Sequence, residues 1–197
     1  METQFDLLIN SYLDNNIGIA PCFLAPALAK GLHQHIVQLQ KDGKMLAAGI
    51  GNEEVKDTEQ KMRADKICWL DKSDDNVFEQ EFLIRVENFI EHLNRTCYTG
   101  INSYEFHYAV YEEGSFYKRH KDQFKNDSDR KYSLISYLNE DWIEEDGGQL
   151  LVYQNETVQS ISPHSQTAVF FKSDEIEHEV TKARRSRMSI TGWLKRV

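Results

Sequence analysis

Near Tyr104 the hydrophobic rhythm of this chain changes from about 3.6 residues to two, and no other feature limits its possible folds as much. Before that point apolar residues recur at helical spacing. Phe5, Leu8, Ile9, Tyr12 and Leu13 mark one helix, closed by Asp14-Asn15-Asn16 and Gly18. A short extended piece over 17–22 leads into a second helix predicted from about Pro26 to Leu39, with the proline in its first turn. Phe82, Leu83, Val86, Phe89, Ile90 and Leu93 predict a third, whose apolar stripe needs a sheet to cover. Beyond Tyr104, segments 104–112, 132–139, 149–153, 157–161, 167–172 and 187–195 are short, rich in β-branched and aromatic residues, and separated by turns. The plainest turn is Glu144-Glu145-Asp146-Gly147-Gly148. Helices first and short strands afterwards predict an α+β chain with a mainly β core, a sandwich or barrel buttressed by helices on one face. Between the halves, Ala47 to Arg63 is polar and aperiodic, and a loop of that length in a compact domain is often a lid or binding element. No repeat or proline-rich linker divides the 197 residues. They read as one domain over 1–197, with helical support over roughly 1–100 and the strand-rich core over roughly 101–197.

Charge and cysteine usage narrow the function. Asp and Glu number 32 against 23 Lys and Arg, a net charge of -9, which disfavours nucleic acid and anionic membranes as partners. The longest apolar run, Ile19 to Ala29, contains two prolines and falls short of the ~20 residues a membrane span needs. The first basic residue is Lys30, so the charged head of a secretory signal is missing. Cys22, Cys68 and Cys97 are odd in number and far apart, which suits a reducing compartment. The expectation is a soluble, cytoplasmic, monomeric protein.

Three residues can carry metal chemistry. In the extended segment His120-Lys121-Asp122, positions i and i+2 share a face, so imidazole and carboxylate can converge on one ion. Such a pair alone is common, and a surface charge pair is the simpler reading. His178 follows in the acidic stretch 174–180, where it reads equally as a solvated histidine or as a third ligand. Two histidines and one carboxylate on one side of an octahedron leave positions open. That arrangement favours non-haem Fe(II) and oxygen chemistry over a closed structural zinc site. Arg187 adds weight. Alternation puts Arg187, Ser189, Thr191 and Trp193 on one strand face and Met188, Ile190 and Leu194 on the other. An arginine on the inward face needs an anionic partner, which a dicarboxylate cosubstrate or an acid of the protein would supply. Tyr137, inward with Ser133 and Ile135, can add a phenolic hydrogen bond to the same carboxylate. Arg184 and Arg185 read as surface residues of a turn.

The order and spacing of His120-x-Asp122, His178 and Arg187 resemble the 2-oxoglutarate- and Fe(II)-dependent dioxygenases. The similarity is greatest to prolyl 4-hydroxylases of the hypoxia-sensing type and their bacterial relatives. It is carried further by Arg63-Ala64-Asp65-Lys66-Ile67-Cys68-Trp69, by Tyr117-Lys118-Arg119-His120-Lys121-Asp122, and by Tyr137-Leu138-Asn139-Glu140-Asp141-Trp142 with Gly147-Gly148-Gln149-Leu150. The resemblance implies a double-stranded β-helix (a cupin-like jelly roll) with the N-terminal helices packed on its larger sheet. It implies iron ligation by His120, Asp122 and His178, and 2-oxoglutarate bound by Arg187 and Tyr137 in a pocket lined by Tyr111, Leu150 and Thr191. Arg130, Asp65, Tyr117 and Trp193 match positions near the substrate proline, and the loop before Arg63 matches a finger that closes over a bound peptide. The implied reaction consumes O2, releases succinate and CO2, admits ascorbate as reductant, and hydroxylates a proline-containing protein, with an elongation factor Tu-like target among the family's examples. A divalent cation, one aspartate and a dicarboxylate leave a single negative charge, which Arg187 neutralises. Two departures stand out. The Tyr111-to-Tyr117 connection lacks a proline and one residue usual in the animal enzymes, and the chain stops four residues after Trp193, without a C-terminal helix to clasp substrate.

The remaining histidines read more plainly. His33 and His35, two apart on a helix, are expected at the surface, His92 at a polar helix edge and His164 in a turn. His107, four residues before Tyr111, either lines the pocket or makes ordinary core hydrogen bonds. Trp142 is expected to pack beside the acidic turn. Two rival functions are a dioxygenase of a small molecule or free amino acid, and a jelly-roll module that binds metal or ligand without turnover. The 47–63 loop speaks for a peptide, and the complete ligand set with Arg187 speaks against the binding module.

Overall fold

The computed structural model describes residues 2–48, 62–123 and 128–197. Three helices precede most of the strands: α1 (Glu2–Asn15), α2 (Pro26–Lys41) and α3 (Val77–Cys97). Pro26 opens α2, where its missing N–H would have no intrahelical acceptor anyway. The Asn76 side chain caps α3 by accepting from the backbone N–H groups of Phe78 and Glu79. Gly31 lets the two helices meet, because a Cβ there would stand 2.3 Å from the Phe78 ring.

Eleven strands follow in chain order: β1 (Gly18–Ala20), β2 (Leu46–Ala47), β3 (Lys66–Trp69), β4 (Ser103–Tyr111), β5 (Tyr117–His120), β6 (Arg130–Tyr137), β7 (Leu150–Gln154), β8 (Thr157–Ile161), β9 (Ala168–Lys172), β10 (Glu177–Val180) and β11 (Arg187–Lys195). They form a seven-stranded sheet of order β1-β9-β6-β11-β4-β3-β2 and a four-stranded sheet of order β5-β10-β7-β8. The pairings within both sheets are antiparallel. This is the expected jelly roll, with its helices on the larger sheet.

Alternation divides the interior into two cores. On one side of the large sheet, Phe106, Tyr108, Val110, Leu134, Phe170, Ile190 and Leu194 meet Phe5, Leu8, Leu32, Ile36, Phe82, Phe89 and other residues of the helices. On the other side, Ala109, Tyr111, Ile135, Tyr137, Val169 and Phe171 face Leu150, Val152, Ile161, Ile176 and Val180. Residues one apart in β4 thus serve different cores.

Several boundaries and environments differ from expectation. The extended piece over 17–22 pairs only through Gly18–Ala20. β2 and β3 join the large sheet from the helical half, and β3 pairs with β4 along Lys66↔Val110 to Trp69↔His107. The loop expected over 47–63 lies, from 49 to 61, outside the described residues. His33 and His35 are half-buried and not at the open surface expected for them, and His92, expected at a polar helix edge, is buried. His33 Nδ1 lies 2.8 Å from the Leu138 carbonyl, His35 Nε2 3.0 Å from Glu79, and His92 is buried with Nε2 2.8 Å from Asp6. A polar partner on the facing element lets a histidine enter an interface that periodicity alone assigns to solvent. Trp142 packs as expected, donating to the Gly147 carbonyl, and Arg185 pairs with Asp146 at the surface. Among the described residues no helix is long and apolar enough to cross a membrane.

Candidate active site

β5 and β10 pair so that His120 and His178 stand directly opposite one another. Asp122 is not in a strand. It follows β5 in a bend, so the shared face comes from the turn of the chain after His120 and not from extended geometry. One ligand atom from each of the three residues lies within 4.8 Å of the others. Asp122 Oδ1 is 3.3 Å from His120 Nε2 and 3.6 Å from His178 Nε2.

Their orientation is held from behind. His120 Nδ1 lies 2.7 Å from the Lys118 carbonyl and His178 Nδ1 3.3 Å from that of Ile176. A carbonyl only accepts, so Nδ1–H donates and each Nε2 carries its lone pair toward the centre. The Ser133 hydroxyl donates to Asp122 Oδ2 at 2.6 Å and lies 2.9 Å from Ser173 Oγ. Burial alone would raise the Asp122 pKa, but His178, His120 and Ser133 outweigh it and hold the carboxyl well below the usual range. Burial pushes the imidazole of His178 down to about 4 against the pull of Asp122. A carboxylate and two imidazole nitrogens therefore converge on one point, an arrangement that suits a divalent cation. Tyr117 stacks on the His120 ring at 3.5 Å, and Arg63, ion-paired with Asp65, covers the other face of Tyr117 at 4.4 Å.

Across the cleft, Arg187 is 2% exposed. Its Nε donates to the Gly148 carbonyl at 2.9 Å, and its guanidinium lies between the rings of Tyr111 and Tyr137, at 4.8 and 5.1 Å. No carboxylate of the described residues pairs with it. Of the two partners weighed from sequence, an acid of the protein is thus not the one found. Gly148, at φ +64°, makes room for this side chain, since a Cβ there would sit 3.0 Å from Arg187 Cδ. Asn139 anchors the start of β11 from the side, accepting from the Met188 N–H and donating to the Met188 and Pro163 carbonyls.

The cleft between these groups is lined by Tyr111, Tyr117, His120, Asp122, Arg130, Leu150, His178, Arg187, Thr191 and Trp193, all expected from sequence, and also by Arg63 and His107. Two expected residues stand back from it. Asp65 is buried against Arg63, and Tyr137 is sealed beside Arg187, its hydroxyl without an aligned hydrogen-bond partner. Arg130 lies 3.5 Å over the Trp193 ring while bonded to Glu105. Sequence reasoning placed Arg63 only at the edge of a loop, and it left His107 open between pocket and core. Ser133 was legible as inward-facing, but nothing local marks Ser173 or Asn139 as supports.

Fold and donor set define a jelly-roll protein in which two histidines and one carboxylate could hold a metal ion from one side. Residues 106–195 match the 2OG-Fe(II) oxygenase superfamily. Similar solved structures include a prolyl-4-hydroxylase of Pseudomonas putida, at 29% identity over 98% of this chain and 100% of that one, with a TM-score of 0.88. A prolyl hydroxylase from Trichoplax adhaerens, in complex with a hypoxia inducible factor oxygen degradation domain peptide, is 26% identical over 98% of this chain and 90% of that one, with a TM-score of 0.87. A prolyl 4-hydroxylase of Phytophthora capsici, at 18% identity over 98% of this chain and 64% of that one (TM-score 0.76), shares the fold. The chain is thus similar to the 2OG-Fe(II) oxygenases over residues 106–195, and to prolyl hydroxylases of known structure over nearly its whole length.

Proposed function

We propose that this enzyme hydroxylates a prolyl residue of a protein or peptide at the 4-position, with His120, Asp122 and His178 holding Fe(II), and Arg187 and Tyr137 holding the distal carboxylate of 2-oxoglutarate. The observation that carries the cosubstrate assignment is the buried Arg187, which meets no carboxylate of the described residues and lies beside the buried Tyr137 hydroxyl. An interior cation left in that state is strongly unfavourable, so the site suits a ligand that brings a carboxylate. The prolyl assignment rests on the prolyl hydroxylases that match this chain almost from end to end, one of them bound to a peptide.

When bound, the metal and 2-oxoglutarate supply the oxidising chemistry, converting the keto acid and O2 to succinate and CO2 as one oxygen enters a C–H bond. The protein's part is placement. Ser133 and the carbonyls of Lys118 and Ile176 fix the donor atoms, the Gly148 carbonyl and two tyrosine rings fix the guanidinium, and the apolar wall of Leu150 and Ile135 excludes water. Tyr117, Arg130 and Trp193 line the side from which a polypeptide would enter, with Asp65 acting through Arg63. An elongation factor Tu-like target follows from the resemblance alone. The free cysteines suit a cytoplasmic setting.

The test is to incubate the purified protein with Fe(II), 2-oxoglutarate and a panel of single-proline peptides, following succinate and the mass of each peptide. Accelerated succinate release with one oxygen added to proline is the expected result. Succinate release that no peptide accelerates, with oxidation of a free amino acid or other small molecule instead, would overturn the prolyl reading and keep the enzyme class.

A further inference from the structure

His107 has an unmet hydrogen-bonding capacity beside the cleft. β4 and β11 are antiparallel, so their paired residues form rungs: Arg187 faces Tyr111, Ser189 faces Ala109, Thr191 faces His107 and Trp193 faces Glu105. His107 is therefore about 13 Å along the strand from the Tyr111 rung, at ~3.3 Å per residue. Its ring lies 5.0 Å from that of Trp69 and 5.4 Å from that of Trp193, and those two are 6.3 Å apart, so the three form an aromatic cluster in which Trp69 is half exposed. The imidazole is 3% exposed, and among the described residues its Nδ1 is sealed without a partner. Trp193 Nε1 is likewise buried and unbonded.

The ring's protonation follows from these surroundings. Burial, reinforced by Arg63, pushes the His107 pKa down to about 4, so at neutral pH the ring carries one N–H. On Nδ1 that proton would be a sealed, unbonded donor, which is costly. An unbonded acceptor is tolerated more readily. The proton therefore belongs on Nε2, the nitrogen left to reach the cleft that His107 lines. A chain segment containing proline lacks one backbone N–H and keeps every carbonyl, so a wall that offers donors complements it.

We infer that His107 is a specificity-determining residue that donates from Nε2 to a backbone carbonyl of the polypeptide substrate, with Trp69 and Trp193 flanking the contact. The inference rests on the prolyl hydroxylase reading. Two measurements test it. In Zn(II)-substituted protein with 2-oxoglutarate, long-range proton–nitrogen NMR at pH 7 should show His107 as the neutral Nε2–H form, and an Nδ1–H form would overturn the inference. With a peptide that accelerates the wild type, His107→Phe should raise the peptide KM about tenfold, the loss of one hydrogen bond, with a much smaller change in kcat. His107→Gln, which keeps a donor near the same point, should recover KM to within about threefold. An unchanged peptide KM in His107→Phe would overturn the inference. If no peptide accelerates the wild type, the prolyl reading is what fails, and the NMR result alone then judges the donor.

Discussion

The two faces of β11 show how one strand divides its work. Met188, Ile190 and Leu194 enter the core beneath the helices, a cluster made mainly of apolar side chains in which close packing is the main requirement. Arg187, Ser189, Thr191 and Trp193 face the smaller sheet, where a buried guanidinium and an unbonded indole N–H sit beside a histidine and aspartate cluster. The first face gains stability by excluding water. The second holds polar groups that the protein itself leaves incompletely satisfied, so its substitutions should show in ligand affinity more than in melting temperature.

That contrast can be broken at several points. Asp122→Ala should have the largest effect, reducing metal-dependent succinate release by roughly a thousandfold or more while the fold persists in circular dichroism. Ile190→Ala should destabilise by about 2–5 kcal/mol and lower Tm by roughly 5–15 °C in a domain of this size, with the KM for 2-oxoglutarate unchanged. Arg187→Met should do the reverse: the same KM should rise by roughly 30- to 100-fold, the loss of a charged hydrogen-bonded contact, and Tm without cosubstrate should not fall. Comparable Tm losses in these two variants would erase the distinction between the faces.

The pH dependence of stability in metal-free protein sharpens the comparison further. His107 and His178 are held down to about 4 in the folded protein by burial, against an unfolded value of 6.5. Between those values the unfolded chain binds more protons, so their contribution to stability is present above pH 6.5 and is lost as pH falls toward 4. His107→Phe should flatten that decline by about 2–3 kcal/mol, read from denaturant midpoints at a series of pH values. Identical slopes would show that His107 is not held neutral by the fold. The smallest effect is expected of Gly148→Ala. Its left-handed backbone and the nearby Arg187 Cδ predict a loss of about 1–2 kcal/mol and a rise of a few-fold in the KM for 2-oxoglutarate.

Much of this arrangement was legible in the sequence because it follows alternation. Arg187 and Ile190, or His107 and Tyr108, separate by parity alone, and the two histidines and the aspartate that cluster were visible as types at a workable spacing. What escaped depends on partners far along the chain. Lys66–Trp69 is a strand because β4 lies beside it, and the polar segments Tyr117–His120 and Glu177–Val180 are strands because they pair with each other. His35 and His92 are drawn inward by Glu79 and Asp6, acids whose positions no local pattern reveals. Tyr137 was correctly judged inward, but parity could not show that its hydroxyl would be sealed behind Arg187 and not open to the cleft.

The strand order of the larger sheet has a consequence for biogenesis. β11, made from residues 187–195, is inserted between β4 and β6, both of which are synthesised long before it. Until it arrives, a nascent chain carries two long strands whose inner edges have no partner, and such edges invite pairing with other chains. The sheet closes only once β11 is in place, so truncations that remove this strand should yield insoluble polypeptide and not a trimmed, working catalyst.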